Sequence, residues 1–187
     1  MKSVNLEASL YPEGLRMPQR SPYHISKDDI PAVDMAPPGD HLKGGALKAQ
    51  MVFGTDTSMM FAARETGYHS TPHCHDAEQM NYVVEGSIWL FIGNVAILAS
   101  KGDIVRIPRN AVHWSWVREP GGCVLLETHT PPLIGDDKMK NGAVSLLAPD
   151  EDRAKVTAVE NIFTTSAGME EIEAQAMAMA MGIATPV

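Results

Sequence analysis

The stretch Ser70–Ser87, STPHCHDAEQMNYVVEGS, sets two histidines two residues apart, His73 and His75. In an extended strand, residues i and i+2 project from the same face. The two imidazoles therefore point one way and Cys74 the other. Neutral imidazole is a common ligand for zinc, copper, nickel and iron, so the pair is a candidate part of a metal site. Gln79 follows His75 by four residues, and Gly86 comes seven later. A second stretch, GDIVRIPRNAVHWSWV, carries Gly102, Pro108 and His113. An H-x-H pair alone discriminates loosely; its weight here comes from this surrounding pattern.

Other polar residues near these stretches are candidates for chemistry. Asn81 shares a strand face with Gln79 and could touch a substrate. Arg64 lies on the strand before the histidines and could clamp a carboxylate in two-pronged fashion. Glu127 and His129 stand two apart on one face of a later strand. His129 is a candidate general acid or base with a pKa near neutral. The competing structural readings are a surface arginine, an asparagine near the rim and a rim histidine bonded to water. Trp89, Trp114 and Trp116 read as packing residues. His24, His41 and His69 fall in loop-like segments and are assigned no role.

Together the two stretches resemble the cupin family of small β-barrels. Its first motif runs G, five residues, H-x-H, three or four residues, E, six residues, G. Gly67, His73, His75 and Gly86 match it, with Gln79 in the Glu position. The second motif runs G, five residues, P-x-G, two residues, H, three residues, N. Gly102, Pro108 and His113 match it, while Asn110 replaces the second glycine and Val117 the final Asn. Asn tolerates the left-handed turn that glycine serves. The resemblance covers about Ala46–Pro132. It implies an all-β fold, a single cupin barrel (a double-stranded β-helix of jelly-roll kind).

Carried over residue by residue, the resemblance implies one divalent transition metal, Mn, Fe, Ni, Zn or Cu, held by His73, His75, Gln79 and His113. Glu78 is the rival fourth ligand, one residue out of register, and strand alternation aims it outward. A Gln amide brings a dipole where Glu would bring a charge. Such an ion is the stronger Lewis acid and attracts anions. This tilts the expectation toward an isomerase, lyase or hydrolase acting on a small organic acid, sugar derivative or aromatic compound. The alternatives are a metal-dependent dioxygenase and a non-catalytic binding or sensor module. The chain shows no DNA-binding or signalling segment, which favours the enzyme. Gln79→Glu is expected to leave packing intact and raise metal affinity.

Short strands must position these residues. Apolar runs between turn signals predict strands over Ala46–Phe53, Ser58–Glu65, Gln79–Val84, Ser87–Ile92, Val95–Leu98, Ile104–Ile107, Val112–Val117 and Val124–His129. A Pro- and Gly-rich arm, residues 1–45, precedes this barrel, residues 46–132, and an extension, residues 133–187, follows it. Further strands are expected over Asp29–Val33 and Lys155–Thr164. A helix is expected over SAGMEEIEAQAMAMAMG, with Glu170, Glu171 and Glu173 in its first turns. Met169, Ile172, Ala176 and Met179 form its stripe, and Met177 and Met181 broaden it. That face packs either on its own barrel or on a second copy. Homodimerisation is expected, from the helix, the exposed strand edges and the resemblance.

The chain has 187 residues, a net charge of −8 and 44% hydrophobic residues, which fits one soluble globular domain. No Lys/Arg cluster suggests a nucleic-acid or anionic-membrane partner. No apolar run is long enough to span a bilayer, and the N-terminus lacks a secretory h-region. Cys74 and Cys123 read as two buried, reduced thiols of a cytoplasmic protein.

Overall fold

The computed structural model of the chain describes residues 24–34, 42–133, 144–145 and 166–183. Twelve strands are defined among them. The first four are β1 (Val33–Asp34), β2 (Leu42–Gly44), β3 (Leu47–Phe53) and β4 (Ser58–Arg64). Next come β5 (His69–Ser70), β6 (His73–Cys74), β7 (Glu78–Ile92) and β8 (Val95–Ser100). The last are β9 (Ile104–Ile107), β10 (His113–Trp116), β11 (Cys123–Thr130) and β12 (Val144–Ser145). One helix, α1 (Ser166–Ala180), closes the list.

The strands pair antiparallel into two faces that share β7. The first face runs β1-β3-β4-β11, then the N-terminal half of β7, then β9. The second is built on the C-terminal half of β7, with β8 on one side and β10 on the other. The far edge of β10 pairs with β5 at Trp116 and with β6 at His113. Pro72 stands between β5 and β6 and has no N–H to give the ladder, so one strand becomes two short ones. The flanking segments extend this face. β2 pairs with β5, and β12 sets Ser145 opposite His73.

Two expected strands, Gln79–Val84 and Ser87–Ile92, are in fact the single β7. The Glu-Gly-Ser sequence does not turn the chain; it bends it. Pairing with β11 skips Val84 between Glu85 and Val83, and such a bulge increases strand bending. Gly86 has φ 75°, and a Cβ there would lie 2.1 Å from the Gly122 carbonyl oxygen. Only glycine fits, and the strand passes from one face to the other. The segment expected as a strand over Asp29–Val33 is instead a 3₁₀ turn, Lys27–Asp29, followed by β1. Pro31 keeps the strand from starting earlier, and Gln50 Nε2 ties the turn down through the carbonyls of Lys27 and Ile30. The strand expected over Lys155–Thr164 lies outside the described residues.

Strand alternation makes two apolar cores. Between the faces, Leu47, Ala62, Val83, Ile88, Leu90, Val105, Val117 and Leu125 pack together. On the outside of the second face, Cys74, Trp89, Phe91 and Trp114 are covered by Met169, Ala176 and Met177 of α1. The helix thus packs on its own barrel. Its buried stripe includes Met177 in place of the expected Met179, which is exposed together with Met181. Glu170 and Glu171 fall in the second turn, because the helix begins at Ser166. Gly182, at φ 69°, ends it. Its N–H bonds to Met179 O and that of Ile183 to Ala178 O, the pairing of a Schellman cap.

A buried carboxylate fastens this helix. Glu173 Oε1 accepts from His69 Nε2 at 2.6 Å and from Trp114 Nε1 at 2.7 Å. His69 stacks on Trp116, with ring centroids 4.5 Å apart. His69, read from sequence as a loop residue without a role, anchors the helix to the barrel. Glu173→Ala would strand two buried donors, each costing about 1–3 kcal/mol. Urea unfolding is expected to show a loss of about 2–6 kcal/mol, with Glu173→Gln costing less because one acceptor oxygen remains.

Candidate metal centre

Three imidazoles meet where the two faces join. His73 comes from β6, His75 from the loop after it, and His113 from β10 directly opposite His73. Ring centroids are 4.4 Å apart for His73–His113, 4.8 Å for His75–His113 and 6.3 Å for His73–His75. Cys74 points the other way into the core beneath α1, as strand alternation requires. Asn110 holds the turn before His113 at φ 59°, the conformation for which glycine is otherwise used. Its N–H bonds to His75 O and ties the two motifs together.

The backbone fixes the protons on these rings. Nδ1 of His73 lies 2.8 Å from Thr71 O, Nδ1 of His75 3.0 Å from Ala77 O, and Nδ1 of His113 2.9 Å from Ala111 O. A carbonyl oxygen only accepts, so each Nδ1 carries its hydrogen. In a neutral ring, Nε2 then carries a lone pair, and that of His75 faces a second acceptor, Gln79 Oε1, at 3.0 Å, a contact that a cation between the two would relieve. His113 Nε2 is buried and has no hydrogen-bond partner. Among the described residues no group of three or more His, Cys, Asp or Glu side chains is placed to hold a metal ion, the three imidazoles included. The three imidazoles are neighbours, and the companion beside them is an amide.

That companion is Gln79, at the start of β7 and buried. Its Oε1 lies 3.0 Å from His75 Nε2. Its Nε2 donates to Asn81 Oδ1 at 2.8 Å and to Glu127 Oε2 at 3.1 Å. Glu127 in turn forms a buried ion pair with Arg64. The rival, Glu78, turns outward and pairs with Arg106, whose Nε lies 2.8 Å from Glu78 Oε2. Asn81 is 1% exposed and supports Gln79 from inside the barrel, not from its rim. Arg64 is buried under Tyr68, its guanidinium 5.0 Å from the ring centre, and is no surface arginine. Burial opposes the charge on Arg64, but Glu127 and Tyr68 outweigh it and its pKa is shifted upward.

His129 faces inward from β11, opposite Gln79 and 5.4 Å from the His75 ring. It is 6% exposed, so it is a buried imidazole and not a rim residue. Burial lowers its pKa to about 4, with Glu127 opposing and His75 and Arg64 adding to the fall. The expectation of a near-neutral pKa is thereby corrected: His129 is uncharged at neutral pH. Burial, reinforced by His73 and His75, also holds His113 well below the ordinary histidine range. The thiol of Cys123 is pushed up to about 11 by burial, and that of Cys74 is also raised. Both stay protonated and free.

A pH dependence follows for the metal-free fold. Unfolded histidine protonates near 6.5, whereas folded His129 resists until about 4. The unfolded chain therefore binds more protons between those values. The stability held above about pH 6.5 is lost as pH falls through this window, by about 3 kcal/mol from His129 alone. Urea midpoints in chelator at about pH 7 and about pH 4.5 check the sign and the size.

A cavity of about 410 Å³ touches this network only at Arg64 and is lined also by Lys48, Glu65, Thr66, Gly122 and Cys123 among others. None of the imidazoles lines it. The Cys123 end of β11 is some six residues from His129, about 20 Å along a strand.

The bent sheet with these inward imidazoles defines a cupin barrel. Residues 60–129 match the family model described as a cupin domain. An RmlC-like cupin from Shewanella frigidimarina NCIMB 400 is 25% identical, with a TM-score of 0.50, over 59% of this chain and 92% of its own. A cupin-2 domain from Rhodospirillum rubrum covers 85% of this chain and 97% of its own, at 16% identity and a TM-score of 0.54. The polyketide cyclase RemF from Streptomyces resistomycificus covers 74% of this chain and 94% of its own, at 19% identity and a TM-score of 0.52. The last two show a common fold alone. No curated protein matches the sequence. Over residues 60–129 the barrel is thus a cupin domain. Among the described residues no helix is long and apolar enough to cross a membrane.

Proposed function

We propose that the protein is a metal-dependent cupin enzyme acting on a small organic molecule, with one divalent transition metal held by His73, His75, Gln79 and His113. The observation that carries the reading is the set of Nε2 atoms. All three rings have Nδ1–H committed to a backbone carbonyl, which is how metal-binding histidines are oriented from behind. The buried, unpartnered Nε2 of His113 lacks a cation or a donor. The 3.0 Å between His75 Nε2 and Gln79 Oε1 suits two ligands at right angles on one ion, each bond being about 2.1 Å.

Bound there, a divalent ion would supply Lewis-acid polarisation of a substrate oxygen. The side chains divide the remaining work. His73 is half-buried while His75, Gln79 and His113 are buried, so a small molecule reaches the site from the His73 side. His129, uncharged at neutral pH, can accept a proton from a bound group. Asn81 and Arg64 act through Gln79 and Glu127. Screening the metal-loaded protein against small carboxylic acids, sugar acids and aromatic compounds tests the reading. Turnover without oxygen uptake supports it. Oxygen consumption by the iron-loaded form replaces it with a dioxygenase, and tight binding without turnover replaces it with a binding module.

A second copy completes the proposal. The outer side of the first face exposes Met59, Met80, Tyr82 and Ile104, the last 69% exposed. Thr128 of β11 lies between Met59 and Met80, and Tyr82 pairs with Ile104, so the four are close neighbours. An apolar patch of this kind marks an interaction surface, and pairing through it gives a homodimer of facing sheets. Light scattering at micromolar concentration should report a dimer, and Ile104→Glu should weaken it. A wild-type monomer contradicts the proposal.

A further inference from the structure

Gln79 stands where a carboxylate would serve a cation better, and the structure supplies a reason. An amide presents either its oxygen or its NH₂, and only its surroundings decide which. Here the surroundings are Asn81 Oδ1, Glu127 Oε2 and His75 Nε2. The Asn81 amide could itself rotate and present a donor. The Glu127 carboxylate is different, because when ionised it only accepts. Arg64 holds it in a buried pair. Glu127 is therefore the fixed point of the network. It draws the NH₂ of Gln79 to itself and leaves the amide oxygen facing His75.

We infer that Glu127 is the positioning residue of this centre: it sets Gln79 oxygen-first toward the imidazoles, and holds one residue back the negative charge that a Glu at position 79 would have placed on the ion. The inference rests on the metal reading above. It also revises the expected effect of Gln79→Glu. That change would set a second carboxylate about 3.1 Å from Glu127 Oε2, the present separation of Gln79 Nε2 from that oxygen. Two carboxylates at hydrogen-bond distance repel. Gln79→Glu alone is then unfavourable, whereas exchange of the pair, Q79E with E127Q, restores one carboxylate and one amide in contact.

The test is a zinc titration by calorimetry of wild type, E127Q, Q79E and the exchanged pair Q79E/E127Q, with side-chain amide NMR of Gln79. R64M/E127Q removes both buried charges together and serves if E127Q folds poorly. E127Q and R64M/E127Q are expected to bind Zn²⁺ about 10–100-fold more weakly, the usual effect of losing a residue that orients a ligand. The exchanged pair is expected to bind at least as tightly as wild type, and more tightly than Q79E alone. In the NMR spectrum E127Q should shift both NH₂ protons of Gln79. Wild-type affinity in both E127Q and R64M/E127Q, or Q79E binding more tightly than the exchanged pair, overturns the inference. If wild type takes up no metal ion, the metal reading falls, and the NMR arm alone decides the orientation: unshifted Gln79 protons in E127Q overturn it.

Discussion

Arg64→Met is expected to be among the most damaging single changes in the barrel interior, costing about 3–5 kcal/mol in urea unfolding. Arg64 and Glu127 are both buried, with side chains 7% and 3% exposed. Removing the guanidinium leaves a carboxylate in the interior with only the Gln79 amide as a hydrogen-bond donor among its described contacts. A buried ion pair contributes little net stability when intact, because desolvation offsets the attraction; breaking it leaves the desolvation cost alone. Arg64 also has unpartnered Nε and Nη1 atoms, a cost the wild type already carries. The double change R64M/E127Q should therefore lose much less than R64M. A loss below about 1 kcal/mol for R64M would show that the pair is not insulated from water.

His113→Ala is expected to separate metal binding from folding. The ring contributes a buried Nε2 with no partner, so its removal relieves an unsatisfied group while opening a small cavity. These effects oppose, and the stability of the metal-free protein should change little. Zinc affinity should fall by more than about 100-fold, exceeding the effect of a residue that acts only through a ligand. Saturating metal stabilises a fold by RT ln(1 + [L]/Kd), about 2.7 kcal/mol at 100 times Kd. That increment should be present in wild type and absent in the variant. Equal stabilisation of both by zinc would remove His113 from the centre.

Much of this barrel is legible in the sequence because its strands are amphipathic and its turns carry Gly, Asn and Pro. The placing of Cys74 opposite His73 and His75, and the outward turn of Glu78, follow from alternation alone. What could not be read is contact between residues far apart in the chain. Glu127 was visible as a strand neighbour of His129, but Arg64 lies 63 residues away, and nothing local announces that the two share the interior. His69 and Glu173 are 104 residues apart, and neither has a motif. The low pKa of His129 is hidden from the sequence for the same reason: burial sets it, and burial belongs to the assembled barrel. The unity of β7 was hidden by Gly86, which punctuates a turn in most sequences and here permits a close crossing over Gly122.

The most direct test is the metal content of untagged protein, by elemental analysis as purified and after dialysis against zinc or manganese at neutral pH. About one divalent ion per chain is expected, lost as pH falls through the imidazole range because protons compete for the same Nε2 lone pairs. No transition metal in the purified protein, together with no uptake at neutral pH, would contradict a centre built on His73, His75, Gln79 and His113.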